Sequence, residues 1–79
     1  MQDTIAQDRT LDCKGLLCPM PIVRLSRAIK EMSSNEVVLL EATDPGSVPD
    51  VAAWSRQTGN PILAQDRVGP VMRFWIRKS

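Results

Sequence analysis

The chain contains no histidine and no tyrosine, and Phe74 is its one phenylalanine. Without histidine, no Ser-His or Cys-His nucleophile can be assembled within the chain, and the commonest general base is missing. Cysteine is scarce as well. Cys13 and Cys18 are the only two, and two thiolates without histidine cannot complete the four ligands of a closed zinc site, so no metal is expected. Apolar runs are short, the most prominent being VVLL at 37–40, and no transmembrane helix is expected from them. The start, MQDTIAQDRT, carries acidic residues and no apolar stretch of signal-peptide length. A cytoplasmic protein with reduced thiols is the resulting expectation. A strong excess of either charge is absent too. Ten Lys and Arg against nine Asp and Glu leave a net charge of +1, which calls for neither nucleic acid nor an anionic membrane as partner.

What is present is one small domain. At 79 residues the chain lies near the lower limit for a self-sufficient core. Its 43% hydrophobic and 24% charged residues nevertheless place it with globular rather than disordered chains. So short a chain has little room for an internal cofactor pocket, and chemistry is expected at the surface or at the end of an element. Residues 1–9 are polar and read as a flexible start. Residues 10–79 read as the domain.

Periodicity gives the element order. Residues 10–13 suit a short strand with Leu11 and Cys13 on one face. From Pro19 to about Met32, Ile22, Leu25, Ile29 and Met32 recur at helical spacing, joined by Ala28, with Arg24, Arg27, Lys30 and Glu31 opposite. Residues 37–42 form the most apolar strand, expected near the centre of the sheet. TDPG at 43–46 is a turn, with Asp44 capping, Pro45 fixing φ and Gly46 permitting reversal. Ser47 followed by Asp50 suggests a capped second helix to about Thr58, anchored by Val51 and Trp54 and stopped by Gly59 and Asn60. Residues 61–65 form a third strand, DRVGP turns the chain, and Met72, Phe74 and Ile76 alternate with Arg73, Trp75 and Arg77 in a last strand with one buried face. The order β-α-β-α-β-β predicts an α/β two-layer sandwich, a four-stranded mixed sheet with two helices on one face.

One stretch does not read as scaffold alone. In GLLCPMP, at 15–21, Cys18 precedes a proline. The residue before proline is driven toward extended dihedrals, which suit an N-cap, and proline is well placed at the first helical position. Cys18 is therefore expected at the N-cap of the first helix, with Pro19 at the first position and Pro21 still in the first turn. The helix dipole and the N–H groups of Cys18, Met20 and Ile22 would lower the thiol pKa below its free value of about 8.5, though less than where no proline removes a donor. Lys14 and Arg24 are candidate counter-cations. The alternative is an inert cysteine packed as a small apolar residue.

LDCKGLLCPMPIVRLSRAI resembles the signature of the TusA-like (SirA-like) sulfur carriers, roughly L-D-x-x-G-L-x-C-P-x-P. Leu11, Asp12, Gly15, Leu16, Cys18, Pro19 and Pro21 match it. The likeness continues through TDPGS at 43–47 and into RFWIRKS at the end. It implies a sulfurtransferase without cofactor, in which Cys18 accepts sulfane sulfur as a persulfide from a protein donor (a cysteine desulfurase or rhodanese-like protein) and passes it to an acceptor protein's thiol. Relays of this kind serve tRNA thiolation, molybdenum-cofactor synthesis or sulfur oxidation. Pro19 and Pro21 would orient the sulfur, and Gly15 would let the loop approach it. Met20 and the Leu16–Leu17 pair would form a docking rim or cover the strand end. A monomer with transient complexes is expected.

Two other functions remain open on the residues. Cys13 and Cys18 could cycle as a redox dithiol, although strand alternation points Cys13 inward with Leu11, as a packed side chain. A regulatory interaction domain would need neither thiol. Arg24, Arg27 and Lys30 form a basic stripe, read as a solvated face or as steering toward an acidic partner. Asp44 is explained by its turn or by contact with a partner. Trp54 is expected in the core, and Trp75 on the open face of the sheet.

Overall fold

The computed structural model describes residues 5–79. Its elements are β1 (Arg9–Cys13), α1 (Met20–Lys30), β2 (Val37–Ala42), α2 (Ser47–Thr58), β3 (Ile62–Val68) and β4 (Val71–Arg77), in the expected order. The strands form one sheet in the order β1-β2-β4-β3. β1 and β2 run parallel, and the β2–β4 and β3–β4 pairs are antiparallel. β2 is thus an interior strand, as its apolar sequence requires.

Strand alternation decides which side is covered. Val38 and Leu40 of β2, Met72, Phe74 and Ile76 of β4 and Cys13 of β1 share one core cluster with Leu25 and Ile29 of α1 and Val51 and Trp54 of α2. Both helices therefore lie on the same face of the sheet. α1 buries Leu25, Ala28 and Ile29 at i, i+3 and i+4 and leaves Arg24, Arg27 and Lys30 outside. It ends sooner than the spacing suggests, yet Met32 beyond it still reaches the core. α2 stops where Gly59 takes a left-handed φ of 78°, its N–H donating to the Ser55 carbonyl at 2.9 Å. Trp54 is buried, and its Nε1 donates to Ser26 Oγ at 3.0 Å, which ties α2 to α1.

Three expectations need correction. Residues 1–4 of the expected flexible start lie outside the described residues. Asp8 and Arg9, however, are held by the sheet: the Asp8 N–H donates to the Val37 carbonyl, and Val37 N–H donates to the Asp8 carboxylate, both at 2.8 Å. β3 extends beyond Gln65 to Val68, so the reversal contracts to Gly69 and Pro70. Arg73 holds the added length by donating from Nε and Nη2 to the two carboxylate oxygens of Asp66 at 2.7 and 2.6 Å. The second helix is capped differently as well. Its N-cap is Gly46, and Ser47 is buried one position inside with its Oγ unpaired. Gly46 has φ −63°, a value open to any residue, so the TDPG turn does not draw on glycine's freedom.

The face without helices is organised by register. Asp12, Glu41, Arg73 and Asp66 form one row across all four strands. Lys14 bridges Asp12 and Glu41 at 3.2 and 3.1 Å. Trp75 lies on this face as expected, half-buried, with the Arg73 guanidinium 4.9 Å from its ring centroid.

The core claim is testable at Leu40, which is fully buried. Leu40→Ala is expected to cost about 2–5 kcal/mol, and truncation of the exposed Val23 less than about 1 kcal/mol. Urea unfolding measures both as shifts in midpoint at unchanged slope.

Candidate functional site

The parallel pairing of β1 and β2 brings their C-terminal ends side by side, with Cys13 opposite Ala42. The segment following β1 consequently lies against the segment following β2, and side chains of the second hold backbone of the first. Gly15 N–H donates to Thr43 Oγ1 at 2.9 Å. Cys18 N–H donates to Asp44 Oδ2 at 2.9 Å. Asp44 also shapes its own turn, its carbonyl accepting from Ser47 N–H at 2.9 Å. Asp44 is therefore more than a turn residue, because it fixes the backbone that carries Cys18.

Cys18 is exposed and free. Its Sγ–H donates to Oδ2 of Asp50, in the first turn of α2, at 2.7 Å. A shallow groove of about 290 Å³ opens beside the sulfur, lined by Pro19, Ile22, Ala53, Trp54 and Gln57 with Cys18 and Asp50. The thiol pKa is raised above its ordinary value. The hydrogen bond to Asp50 is the main cause, followed by desolvation and by the charges of Asp50 and Asp44. This reverses the expected lowering, for identifiable reasons. The N-cap of α1 is Pro19, so Cys18 stands one residue outside the helix. Met20 N–H is taken by the Leu17 carbonyl, Ile22 N–H by the Pro19 carbonyl and Cys18 N–H by Asp44. None of the three amides expected to face the sulfur is free to do so. Lys14 is engaged with Asp12 and Glu41, and Arg24 acts on Asp12 and Cys13, so neither expected counter-cation serves Cys18.

The profile of the family described as Sulfurtransferase TusA matches residues 9–78. The chain belongs to the TusA family. It is 44% identical to the sulfur carrier protein TusA of Allochromatium vinosum over 72 residues, covering 91% of this chain and 95% of that protein. It is 45% identical over 72 residues to YrkI of Bacillus subtilis, covering 91% of this chain and 96% of that one. Among solved structures, the SirA-like protein of Desulfitobacterium hafniense superposes with a TM-score of 0.77 at 21% identity, over 87% of this chain and 95% of that one, a likeness of fold.

The other candidate residues of this TusA-family chain separate by location. Pro21 is fully buried in the first turn of α1. Gly15 has φ +80°, and a Cβ there would meet nothing within 4 Å. Its glycine thus serves the left-handed turn rather than a close approach to the sulfur. The leucine pair divides: Leu16 packs on the core, while Leu17, the residue before Cys18, is 73% exposed. Met20 is exposed but lines a different groove, with Leu11, Val23, Arg24 and Arg27, between α1 and β1. Cys13 is fully buried in the core cluster, and its pKa is pushed up chiefly by desolvation. Among the described residues, no cluster of three or more His, Cys, Asp or Glu could hold a metal ion, and no helix is long and apolar enough to cross a membrane.

Asp50 and Thr43 are site partners that local sequence grammar does not reveal. Ser-x-x-acid is a capping pattern, and it claims Asp50 for the helix start. The signal that finds it is topological: parallel pairing of β1 and β2 puts the start of the helix after β2 next to the loop after β1, so the first-turn residues of that helix are the ones to examine.

The contrast between the thiols predicts their chemistry. In the native protein, excess iodoacetamide is expected to modify Cys18 alone, with Cys13 reacting only after unfolding. Peptide mass mapping reads the outcome.

Proposed function

We propose that this protein is a sulfur carrier in which Cys18 accepts sulfane sulfur from a donor protein's persulfide and hands it to an acceptor protein's thiol. The observation that carries the reading is Cys18 itself, an exposed free thiol on a loop anchored by Thr43 and Asp44, in a chain of the TusA family. Cys13, with no exposed surface, supports a one-thiol carrier over a dithiol module.

The transfer is a displacement at sulfur. The Cys18 thiolate attacks the terminal sulfur of a donor R–S–SH, so that a new S–S bond forms at Cys18 as the donor S–S bond breaks. The donor thiolate leaves with the electron pair and takes the proton that Cys18 released. The net change is Cys18–SH plus R–S–SH to Cys18–S–SH plus R–SH. No oxidant is consumed, and neither cofactor nor metal is required. The acceptor thiolate then repeats the displacement on the Cys18 persulfide. As in thiol–disulfide exchange, thiolate fraction and access set the rate. Pro19, Ile22 and Ala53 in the groove at Cys18, and the exposed Leu17 that precedes it in the chain, give docking partners apolar surface to cover. A cysteine desulfurase or rhodanese-like protein is the donor of matching chemistry, and the reducing cytoplasm is the compartment that keeps Cys18 free between transfers.

Intact mass after incubation with polysulfide tests the proposal. Wild type and Cys13→Ser are expected to gain the mass of sulfur, reversibly with dithiothreitol, and Cys18→Ser is expected to gain none. Sulfur gain by Cys18→Ser would contradict the carrier role. A loss of two hydrogens requiring both cysteines, without sulfur gain, would replace it with a redox pair.

A further inference from the structure

Cys18 presents its proton to a carboxylate, a contact that does not survive loading with sulfur. In the resting protein the Asp50 carboxylate accepts the S–H hydrogen bond at 2.7 Å. Once Sγ carries a second sulfur it has no hydrogen to donate. A persulfide is also more acidic than a thiol, so the terminal sulfur carries negative charge at neutral pH. The charges acting at this position are negative as well: Asp50 from α2 and Asp44 from the segment after β2. From the β1–α1 segment, Lys14 is turned to Asp12 and Glu41. From α1, Arg24 acts on Asp12 and Cys13. Among the described residues no cation is set against Asp50 and Asp44 at this sulfur, whereas the unloaded state has a satisfied donor and acceptor.

We propose that Asp50 is a positioning residue that binds Cys18 through its thiol proton and so biases the carrier toward its unloaded state. The inference rests on the sulfur-carrier reading above and concerns the same sulfur. Asp50 restrains Cys18 twice. It holds the resting thiol protonated, which slows reaction with stray electrophiles. It also disfavours retention of the persulfide, which drives sulfur onward to the acceptor. A cationic side chain brought over Asp50 by a docked partner would lift both restraints for the duration of the transfer.

Asp50→Asn keeps the shape and removes the charge. Two readouts distinguish a bias on the sulfur from a merely structural role. In a Cys13→Ser background, the pH profile of alkylation by iodoacetamide is expected to move to lower pH, with a severalfold faster rate at pH 7. At equilibrium with glutathione and its persulfide, Asp50→Asn is expected to retain severalfold more sulfur than wild type. Asp50→Glu, which restores the charge, should return both readouts toward wild type. An unchanged pH profile and partition in folded Asp50→Asn would overturn the proposal, as would a profile moved to higher pH. Should Asp50→Asn fail to fold, the wild type decides: the Asp50 side-chain carboxyl ¹³C resonance is expected to shift with ionisation of Cys18 and again with loading, and invariance through both would overturn it. If wild type takes up no sulfur from glutathione persulfide, the carrier reading itself fails, an outcome separate from an unaltered partition in the variant.

Discussion

The parallel pairing of β1 with β2 is the constraint from which the site follows. Parallel neighbours end at the same edge of the sheet, so the loop bearing Cys18 and the turn leading into α2 must meet there. The contacts between them run in one direction. Gly15 and Cys18 give their N–H groups, and Thr43 and Asp44 accept them. Asp50, one turn into α2, then accepts from the thiol itself. A hairpin between the same strands would have placed their two ends at opposite edges, and no such meeting would occur. In open α/β sheets generally, sites gather at the carboxyl ends of parallel strands. In this small mixed sheet β1 and β2 form the only parallel pair among the described residues.

Magnitudes explain why the thiol is restrained rather than activated. A helix N-terminus offers roughly half an elementary charge, spread over amides that must point at the group they stabilise. Here those amides are already committed: the Leu17 and Pro19 carbonyls take the N–H groups of Met20 and Ile22, and Asp44 takes that of Cys18. Asp50 contributes a full negative charge in direct contact. The nearer and larger charge prevails, and Cys18 rests as a thiol. Exposure then makes the sulfur reachable, while protonation makes it selective. Cys13, on the strand before the loop, shows the opposite combination, unreachable and packed as a small hydrophobe among Leu25, Val38 and Leu40.

Much of the fold is legible in the residues. The i, i+3, i+4 recurrence of Leu25, Ala28 and Ile29 and the alternation of Met72, Phe74 and Ile76 each name an element and its buried face. Gly59 marks the end of α2 because its left-handed φ is one that glycine adopts freely. Cys18 is legible as well, from its place before Pro19. Its electrostatic setting is not, because Asp44 and Asp50 lie 26 and 32 residues away along the chain. Local grammar assigns both to nearer tasks, a turn and a cap. The same limitation displaces the expected N-cap by one residue. Proline tolerance at the first helical position cannot register that Cys18 N–H would be drawn outward to Asp44. The longer β3 depends likewise on a cross-strand partner, Arg73 opposite Asp66.

The central claim is that Cys18 is an accessible sulfur held in its protonated form by the carboxylate beside it. Titration of the Cys18 thiolate by ultraviolet absorbance in the folded Cys13→Ser protein tests this most directly, since a single thiol then remains. The account predicts a midpoint above the ordinary thiol value of about 8.5. A midpoint below that value would contradict it, and would show the helix start, rather than Asp50, governing the sulfur.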